Sequence, residues 1–156
     1  MKTEEYNGTT WAANAAPGEL PTGTGQAGCA GTQTAALKIG GNPPPGSAGT
    51  QVVEYNGTTW SVSPVSLPTA FGKGGSSQAG TQTSALIFGG GPHPGSTTSF
   101  KYDGTSWTAT PSMNANFTEN GSCGTQASAM AFGGEPPSTG TDEFTITTVA
   151  ETMTTS

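Results

Sequence analysis

The heptapeptide Glu-Tyr-Asn-Gly-Thr-Thr-Trp at residues 54–60 decides how this chain folds. The same seven residues stand at 5–11, and a variant, Lys-Tyr-Asp-Gly-Thr-Ser-Trp, occupies 101–107. In each copy an Asn-Gly or Asp-Gly pair lies between β-prone residues. That is the strongest short-range signal of a β-hairpin, because both central residues of a type I′ turn need positive φ. The copies therefore predict three hairpins of one kind.

A second motif, Gly-Thr-Gln, alternates with the first at residues 31–33, 80–82 and 124–126. Each copy is followed by an apolar run and a Gly-Gly pair, so we predict a tight turn that leads into another strand. The apolar strands are expected at 36–39, 85–88 and 129–132. The strands of the heptapeptide hairpins are expected at 50–56 and 58–64, and at 97–103 and 105–110.

The two motifs together form a repeat of about 48 residues, since Trp60 follows Trp11 by 49 residues and Trp107 follows Trp60 by 47. Two hairpins per repeat give four strands, and units of this length are modules stacked on one another. The expected turn and core positions are the three Gly-Gly pairs with the aromatic residues of the heptapeptides: Gly40, Gly41, Gly89, Gly90, Gly133, Gly134, Tyr6, Tyr55, Tyr102, Trp11, Trp60 and Trp107.

The composition favours an all-β protein. Only 9% of the 156 residues are charged and 31% are hydrophobic. The Ala/Leu/Glu/Lys runs that helices need are missing, while aromatic residues recur at fixed spacing. Alternation places Leu37 and Ile39 on one strand face and Ala36 and Lys38 on the other, a pattern expected for a sheet packed on both faces.

Charge and hydropathy exclude several partners. The chain has four lysines, no arginine and a net charge of −6, so it offers no basic surface to neutralise phosphates, and no nucleic-acid partner is expected. Its apolar runs are too short for membrane insertion, and residues 1–10 hold no hydrophobic stretch of a signal peptide. Cys29 and Cys123 occupy different repeat positions, so a disulfide framework is not expected.

The order Gly89-Gly90, Tyr102, Trp107 resembles the Kelch repeat and the central propeller domain of galactose oxidase. The wording of the repeats is also similar to the Thr/Gly-rich Kelch-like repeats of bacteriophage virion and fibre proteins. The resemblance implies a β-propeller built of four-stranded blades: a hairpin at 1–14 and blades at 23–64, 72–112 and 117–152, treated as one array. The last copy, at 143–149, lacks Asn-Gly and Trp.

About three and a half blades are fewer than a propeller of four to eight blades needs. Either copies of the chain complete the ring by oligomerisation, or the chain is a piece of a longer propeller. A homo-oligomer or an assembly with other virion proteins is therefore the expected partner.

The resemblance does not extend to galactose oxidase activity. That enzyme holds copper with two histidines and two tyrosines, whereas this chain has a single histidine, His93. No Ser-His-Asp set can be assembled without it, and adjacent carboxylates on a strand point to opposite faces. We therefore expect no enzyme, no cofactor and no metal site.

A binding site is expected where the loops vary. In an up-and-down sheet, the 2–3 and 4–1 connections leave from one rim, and here they are long and irregular, whereas the other rim carries minimal turns. The residues of the long loops that could stack on or hydrogen-bond to a sugar are Phe71, Lys73, His93, Asn114, Asn116 and Phe117. The expected function is a structural or adhesive protein of a virion or tail fibre, at the particle surface, that binds partners or host-surface glycans. The alternative is a soluble lectin-like propeller, and an enzyme on the same scaffold is the weakest of the three hypotheses.

Overall fold

The computed structural model describes residues 3–14, 18–72, 78–91, 95–135 and 139–146, apart from the side chains of Asn14 and Gln78. This part of the chain is all-β and contains no helix, which confirms the predicted fold class. The strands are β1 (Thr3–Tyr6), β2 (Trp11–Asn14), β3 (Gly28–Thr32), β4 (Ala35–Ile39), β5 (Val52–Tyr55), β6 (Trp60–Val62), β7 (Gln78–Thr81), β8 (Ser84–Phe88), β9 (Ser99–Tyr102), β10 (Trp107–Ala109), β11 (Gly121–Gly124), β12 (Ser128–Phe132) and β13 (Thr141–Thr145).

The strands form four antiparallel sheets in chain order. Sheet I holds β1 and β2, sheet II holds β3 to β6, sheet III holds β7 to β10, and sheet IV holds β11 to β13. Within each sheet every strand pairs with its neighbour in sequence, as expected for strands joined by short hairpins. Sheets II and III have the four strands that the repeat predicts. The second half of the last predicted hairpin falls largely on 147–149, outside the described residues.

The Asn-Gly hairpins form, but not with the predicted type I′ turn. A type I′ turn needs positive φ at both central residues, but only the glycine has it (96° at Gly8, 88° at Gly57 and 92° at Gly104). The preceding Asn or Asp does not, so the predicted turn type was wrong. The Asn or Asp instead occupies the first turn position. In the second copy Asn56 Oδ1 accepts hydrogen bonds from the backbone N–H groups of Thr58 and Thr59 at 3.0 and 2.9 Å. A side-chain acceptor thus stabilises the turn.

The glutamine of the Gly-Thr-Gln turn links each sheet to the preceding one. Gln82 Nε2 donates to the carbonyl oxygens of Ala36 and Tyr55, at 3.1 and 2.7 Å. Gln126 Nε2 makes the equivalent pair of bonds to the carbonyls of Ala85 and Tyr102. Since the same bonds recur in consecutive repeats, the glutamine fixes how one sheet stacks on the next.

Each sheet has two faces, which we call forward (toward the next sheet in the chain) and backward (toward the preceding one). Leu37 and Ile39 lie on the forward face of sheet II and pack with Ala85, Ile87 and Tyr102 from the backward face of sheet III. Leu86 and Phe88, on the forward face of sheet III, pack with Ala129 and Ala131 of sheet IV. Between sheets III and IV, large residues face small ones, which lets these two sheets approach closely.

The Gly-Gly pair ends the apolar strand where another backbone crosses it. All six of these glycines have positive φ, from 58° at Gly40 to 111° at Gly134. A Cβ added at Gly40 would lie 2.3 Å from the carbonyl oxygen of Phe71. The two backbones therefore approach closely at Gly40, where a side chain would clash.

Lys38 is the exception on the packed faces. It occupies the repeat position of Ile87 and Ala131, is buried, and its Nζ has no hydrogen-bond partner. Burial lowers the pKa of this ammonium group. Among the described residues, sheet I holds no strand equivalent to β3 or β4. Lys38 lies beside the irregular segment that contains Thr22 and Thr24.

Candidate functional site

The long loops gather on one rim and are tied together through their backbones. Phe71 links two loops, because its N–H donates to the Gly49 carbonyl at 2.9 Å and its carbonyl accepts from the Gly41 N–H at 2.7 Å. Phe117 plays the same part in the next repeat, where its carbonyl accepts from the Gly90 N–H at 2.9 Å. The described rim is therefore a rigid surface and not a set of independent loops.

Two of the expected site residues point inward. The side chains of Phe71 and Phe117 are 5% and 3% exposed. The Phe71 ring lies against Gly90, whose added Cβ would be 2.7 Å from the ring. In this arrangement both rings fill the junction between loops, and neither offers an open face on which a sugar could stack. The loop sequence gave no signal for this burial, because it depends on a glycine in the next repeat.

The other expected residues do not form one cluster. Lys73 and His93 lie outside the described residues. Asn114 and Asn116 are exposed, but Asn114 is engaged locally: its backbone N–H donates to Asp142 Oδ2 at 2.9 Å, and its Nδ2 lies 3.4 Å from Oδ1. Asp142 thereby fixes this loop against strand β13.

Asn114 lines a cleft between sheets III and IV with a volume of about 200 Å³. Its lining includes the apolar side chains of Met113 and Phe144 and the polar side chains of Asp142 and Ser112. An apolar wall beside a few polar groups is the usual lining of a small-molecule site. The cleft is nevertheless smaller than the usual range of about 300–1,000 Å³.

A polar cluster that sequence reasoning missed lies on the same rim. Asn42 Nδ2 donates to Gln26 Oε1 at 2.8 Å, and Gln26 Nε2 donates to Glu119 Oε1 at 3.2 Å. This Gln26–Asn42–Glu119 cluster joins the loop before β3 to the loop before β11, although Gln26 and Glu119 are 93 residues apart. Gln26, which bridges the other two residues, and Glu119 are exposed to solvent, whereas Asn42 is half-buried.

The backbone of the cluster is strained. Gln26 and Glu119 have φ values of 51° and 55°, and among the described residues no other non-glycine residue has positive φ. They occupy the same repeat position, seven residues before the Gly-Thr-Gln glutamine, and the middle repeat has Gly75 there. A glycine and two strained polar residues at one repeat position are the signal that could have found the cluster. Strain of this kind, of about 1–3 kcal/mol, is concentrated at functional sites.

The cluster offers amide N–H donors with amide and carboxylate oxygen acceptors at one exposed place. That set recognises hydroxyl-rich or peptide-like ligands through hydrogen bonds, and it holds no nucleophile paired with a base.

Neither a metal centre nor a membrane span is found in the part of the chain that the structure describes. Within it, no three His, Cys, Asp or Glu side chains come together as metal ligands would. The same residues hold no helix with the length and apolar character needed to cross a bilayer. Cys29 and Cys123 are not joined by a disulfide, although both line a shallow hollow where β3, β7 and β11 lie side by side.

Comparison with known proteins adds no identification. No model of a known protein family matches the sequence, and no curated protein matches it. The Kelch resemblance and the bacteriophage origin therefore stay predictions that rest on the repeat sequences quoted above.

Proposed function

We propose that this chain is a non-enzymatic structural and adhesive protein, a component of a virion or tail fibre that assembles with copies of itself. In this proposal its long-loop rim binds host-surface glycans or partner proteins at the particle surface.

The observation that carries the proposal is the Gln26–Asn42–Glu119 cluster, which lies on a rim whose loops are joined by backbone hydrogen bonds. Gln26 and Glu119 are exposed and keep positive φ values within the surrounding loops. Asn42 is itself anchored, since its backbone N–H donates to the Gly25 carbonyl at 2.8 Å and its side-chain oxygen lies over Gly72. Preorganised polar groups bind with less loss of conformational entropy than groups on mobile loops.

The glutamine bonds between sheets support a structural role. They repeat along the array and connect side chains to backbone carbonyls, so they hold the spacing of the sheets together with the apolar clusters between them. A scaffold that presents a rigid rim suits adhesion, in which many weak contacts act together.

The experiment compares two double variants on a glycan array and in a cell-adhesion assay. Gln26→Gly with Glu119→Gly removes two of the three side chains of the cluster, including the central Gln26, and glycine accepts positive φ without strain. The control, Thr58→Ala with Thr105→Ala, changes exposed residues of the short-turn rim. We expect the first variant to lose binding by at least tenfold and the control to keep it. Equal binding by both variants would contradict the proposal.

The alternative is a soluble lectin-like carbohydrate-binding propeller, and the cleft between sheets III and IV favours it. The Phe144 ring could stack on a sugar there, beside the polar groups of Asn114 and Asp142. Ser112→Trp would fill this cleft from an exposed position. Glycan binding that is lost in Ser112→Trp but kept in the Gln26/Glu119 variant would favour the alternative.

A further inference from the structure

The first sheet leaves an aromatic pair uncovered. Tyr6 and Trp11 lie on the backward face of sheet I with their ring centroids 5.3 Å apart and their planes tilted by 37°, and they are 47% and 68% exposed. The equivalent pair in sheet II, Tyr55 and Trp60, is covered by sheet I, and Tyr55 is only 2% exposed. An aromatic pair that is a packing element in later repeats is thus open to solvent in the first.

Two acceptors hold the covered pair. The Tyr55 hydroxyl donates to the Glu5 carboxylate, and Trp60 Nε1 donates to Thr3 Oγ1 at 3.0 Å. Thr3 and Glu5 stand two residues apart on β1 and therefore share its forward face. A threonine and a glutamate with this spacing form a docking site for a Tyr–Trp pair.

Sheet IV presents the same docking site. Its strand β13 reads Thr-Asp-Glu-Phe at 141–144, where β1 reads Thr-Glu-Glu-Tyr at 3–6. Glu143 pairs in register with Met130 and Thr141 with Phe132, so these residues share the forward face of sheet IV. Both acceptors are exposed.

Sheets II and III can be compared with sheet I at the two strand positions that hold Thr3 and Glu5. The residues there vary with the aromatic residues of the following sheet. Sheet II keeps the glutamate as Glu54 but has Val52 at the threonine position, and the Tyr102 hydroxyl donates to the Gly104 carbonyl at 3.0 Å. Correspondingly, Trp107 Nε1 is buried without a hydrogen-bond partner. Sheet III has Lys101 at the glutamate position, and the aromatic residue that follows on sheet IV is Phe144, which has no hydroxyl. A carboxylate occurs where a tyrosine arrives, and Glu143 fits that pattern.

The apolar part of this face is open as well. Met130 and Phe132 are 36% and 43% exposed, whereas Leu86 and Phe88, their equivalents in sheet III, are buried under the next sheet. Burial of such side chains by a further sheet would remove apolar surface from water.

We infer that the backward face of sheet I in one copy of the chain docks on the forward face of sheet IV in another. The Tyr6 hydroxyl, which donates to the Gly8 carbonyl at 2.8 Å within one chain, turns to donate to Glu143 in the contact. Trp11 Nε1 donates to Thr141 Oγ1, and the two rings pack against Met130. This inference deepens the assembly part of the proposed function and rests on it. Each copy has one face of each kind, so two such contacts close a ring of two chains, and an unclosed series forms an open filament.

The test measures mass by light scattering and sedimentation over a wide range of concentrations. The wild-type chain should exceed the single-chain mass of 15.5 kDa. Trp11→Ser and Glu143→Lys should each reduce the particle to one chain. The controls are Val62→Ser, which removes an exposed apolar side chain, and Glu135→Lys, which reverses an exposed charge. Both positions lie away from the backward face of sheet I and the forward face of sheet IV, so these variants should keep the wild-type mass. A wild-type chain that remains a single chain throughout would overturn the inference, as would variants with unchanged mass.

Mixing the two variants tests the head-to-tail geometry. Trp11→Ser retains an intact sheet IV and Glu143→Lys an intact sheet I, so the mixture should form pairs that neither variant forms alone. Failure to associate would exclude this pairing of faces. Should Trp11→Ser not fold, Tyr6→Phe removes a single hydroxyl and should weaken association by about tenfold, the effect of one hydrogen bond to a charged group.

The two proposals can fail separately. The Gln26/Glu119 variant changes the rim and neither face, so it should keep the wild-type mass. If Trp11→Ser and Glu143→Lys lose assembly but bind glycans as well per chain as the wild type does, the inferred contact is right and independent of the rim. Normal assembly without any glycan or cell binding would refute adhesion and leave the contact standing.

Discussion

The substitution Gln82→Ala should destabilise the fold more than its exposed turn position suggests. It removes two hydrogen bonds, to the carbonyls of Ala36 at 3.1 Å and Tyr55 at 2.7 Å, that join sheet III to sheet II. Each such bond contributes about 1 kcal/mol net. Because Gln82 is only part-buried, water can reach the freed carbonyls, so we expect a loss of about 1–2 kcal/mol in the free energy of unfolding. For a chain of this size that corresponds to a fall in Tm of roughly 3–8 °C.

The chain contains its own matched control in Gln33. It occupies the same repeat position, but its Nε2 is exposed and makes a single bond, at 3.3 Å, to the Tyr6 carbonyl. Sheet I has no counterpart of β4 to supply a second acceptor. Gln33→Ala should therefore cost less than about 0.5 kcal/mol, and Gln126→Ala, with two acceptors, should resemble Gln82→Ala.

The three variants should be compared by urea unfolding and calorimetry at one protein concentration, since association would make Tm concentration-dependent. The predicted order of destabilisation is Gln82 and Gln126 first, then Gln33. If Gln33→Ala is as destabilising as Gln82→Ala, the bonds between sheets do not determine the effect of the glutamine, and the reasoning fails.

Three further predictions concern single positions. Gly40→Ala should lower the free energy of unfolding by about 3 kcal/mol or more, because the new Cβ would lie 2.3 Å from the Phe71 carbonyl oxygen. Gly133→Ala, at a similar φ but with nothing within 4 Å of the new Cβ, should lower it by about 1 kcal/mol. Similar melting temperatures for the two variants would contradict this. Hydrogen bonds from the backbone and side chains of Thr105 and Ser106 hold the pKa of the Asp103 carboxyl well below its usual range. The stability that the ionised carboxylate contributes is therefore present above about pH 4 and is lost as the pH falls toward the folded-state pKa. Asp103→Asn should therefore flatten the acid limb of the stability curve, and an unchanged limb would show that other carboxylates control it. Val52→Thr should lower the free energy of unfolding less than Val53→Thr, although both valines are 1% exposed. Position 52 in sheet II is equivalent to Thr3 in sheet I, so only a hydroxyl at 52 can accept a hydrogen bond from the unpaired Trp107 Nε1. The reverse order in urea unfolding would refute the register of the Tyr–Trp docking site.

Much of the fold could be predicted because the repeat combines period-2 alternation with turn residues. The apolar run ending at Gly40-Gly41 predicted a strand at 36–39, and the structure has Ala35–Ile39. The turn type was not predicted correctly, because Asn56 stabilises the turn with its side-chain oxygen, and Asn-Gly alone does not distinguish that arrangement from a type I′ turn.

The candidate site was less predictable from local patterns. Asn114 and Asn116 are exposed as expected, but the Gln26–Asn42–Glu119 cluster joins loops that are distant in sequence. Hydrogen bonds between such loops depend on how sheets II to IV stack, and no local pattern reports that.

The sequence by itself determined the strands, the hairpins and the number of stacked units, since these follow from alternation and turn chemistry within a few residues. Only the tertiary structure decided which residues face solvent. Phe71 is buried because a glycine of the next repeat leaves room for its ring, and Tyr6 is exposed because no sheet precedes sheet I among the described residues. Side-chain exposure depends on neighbours brought together by stacking, whereas strand formation depends on neighbours along the chain. The same heptapeptide therefore gives a buried Tyr55 and an exposed Tyr6.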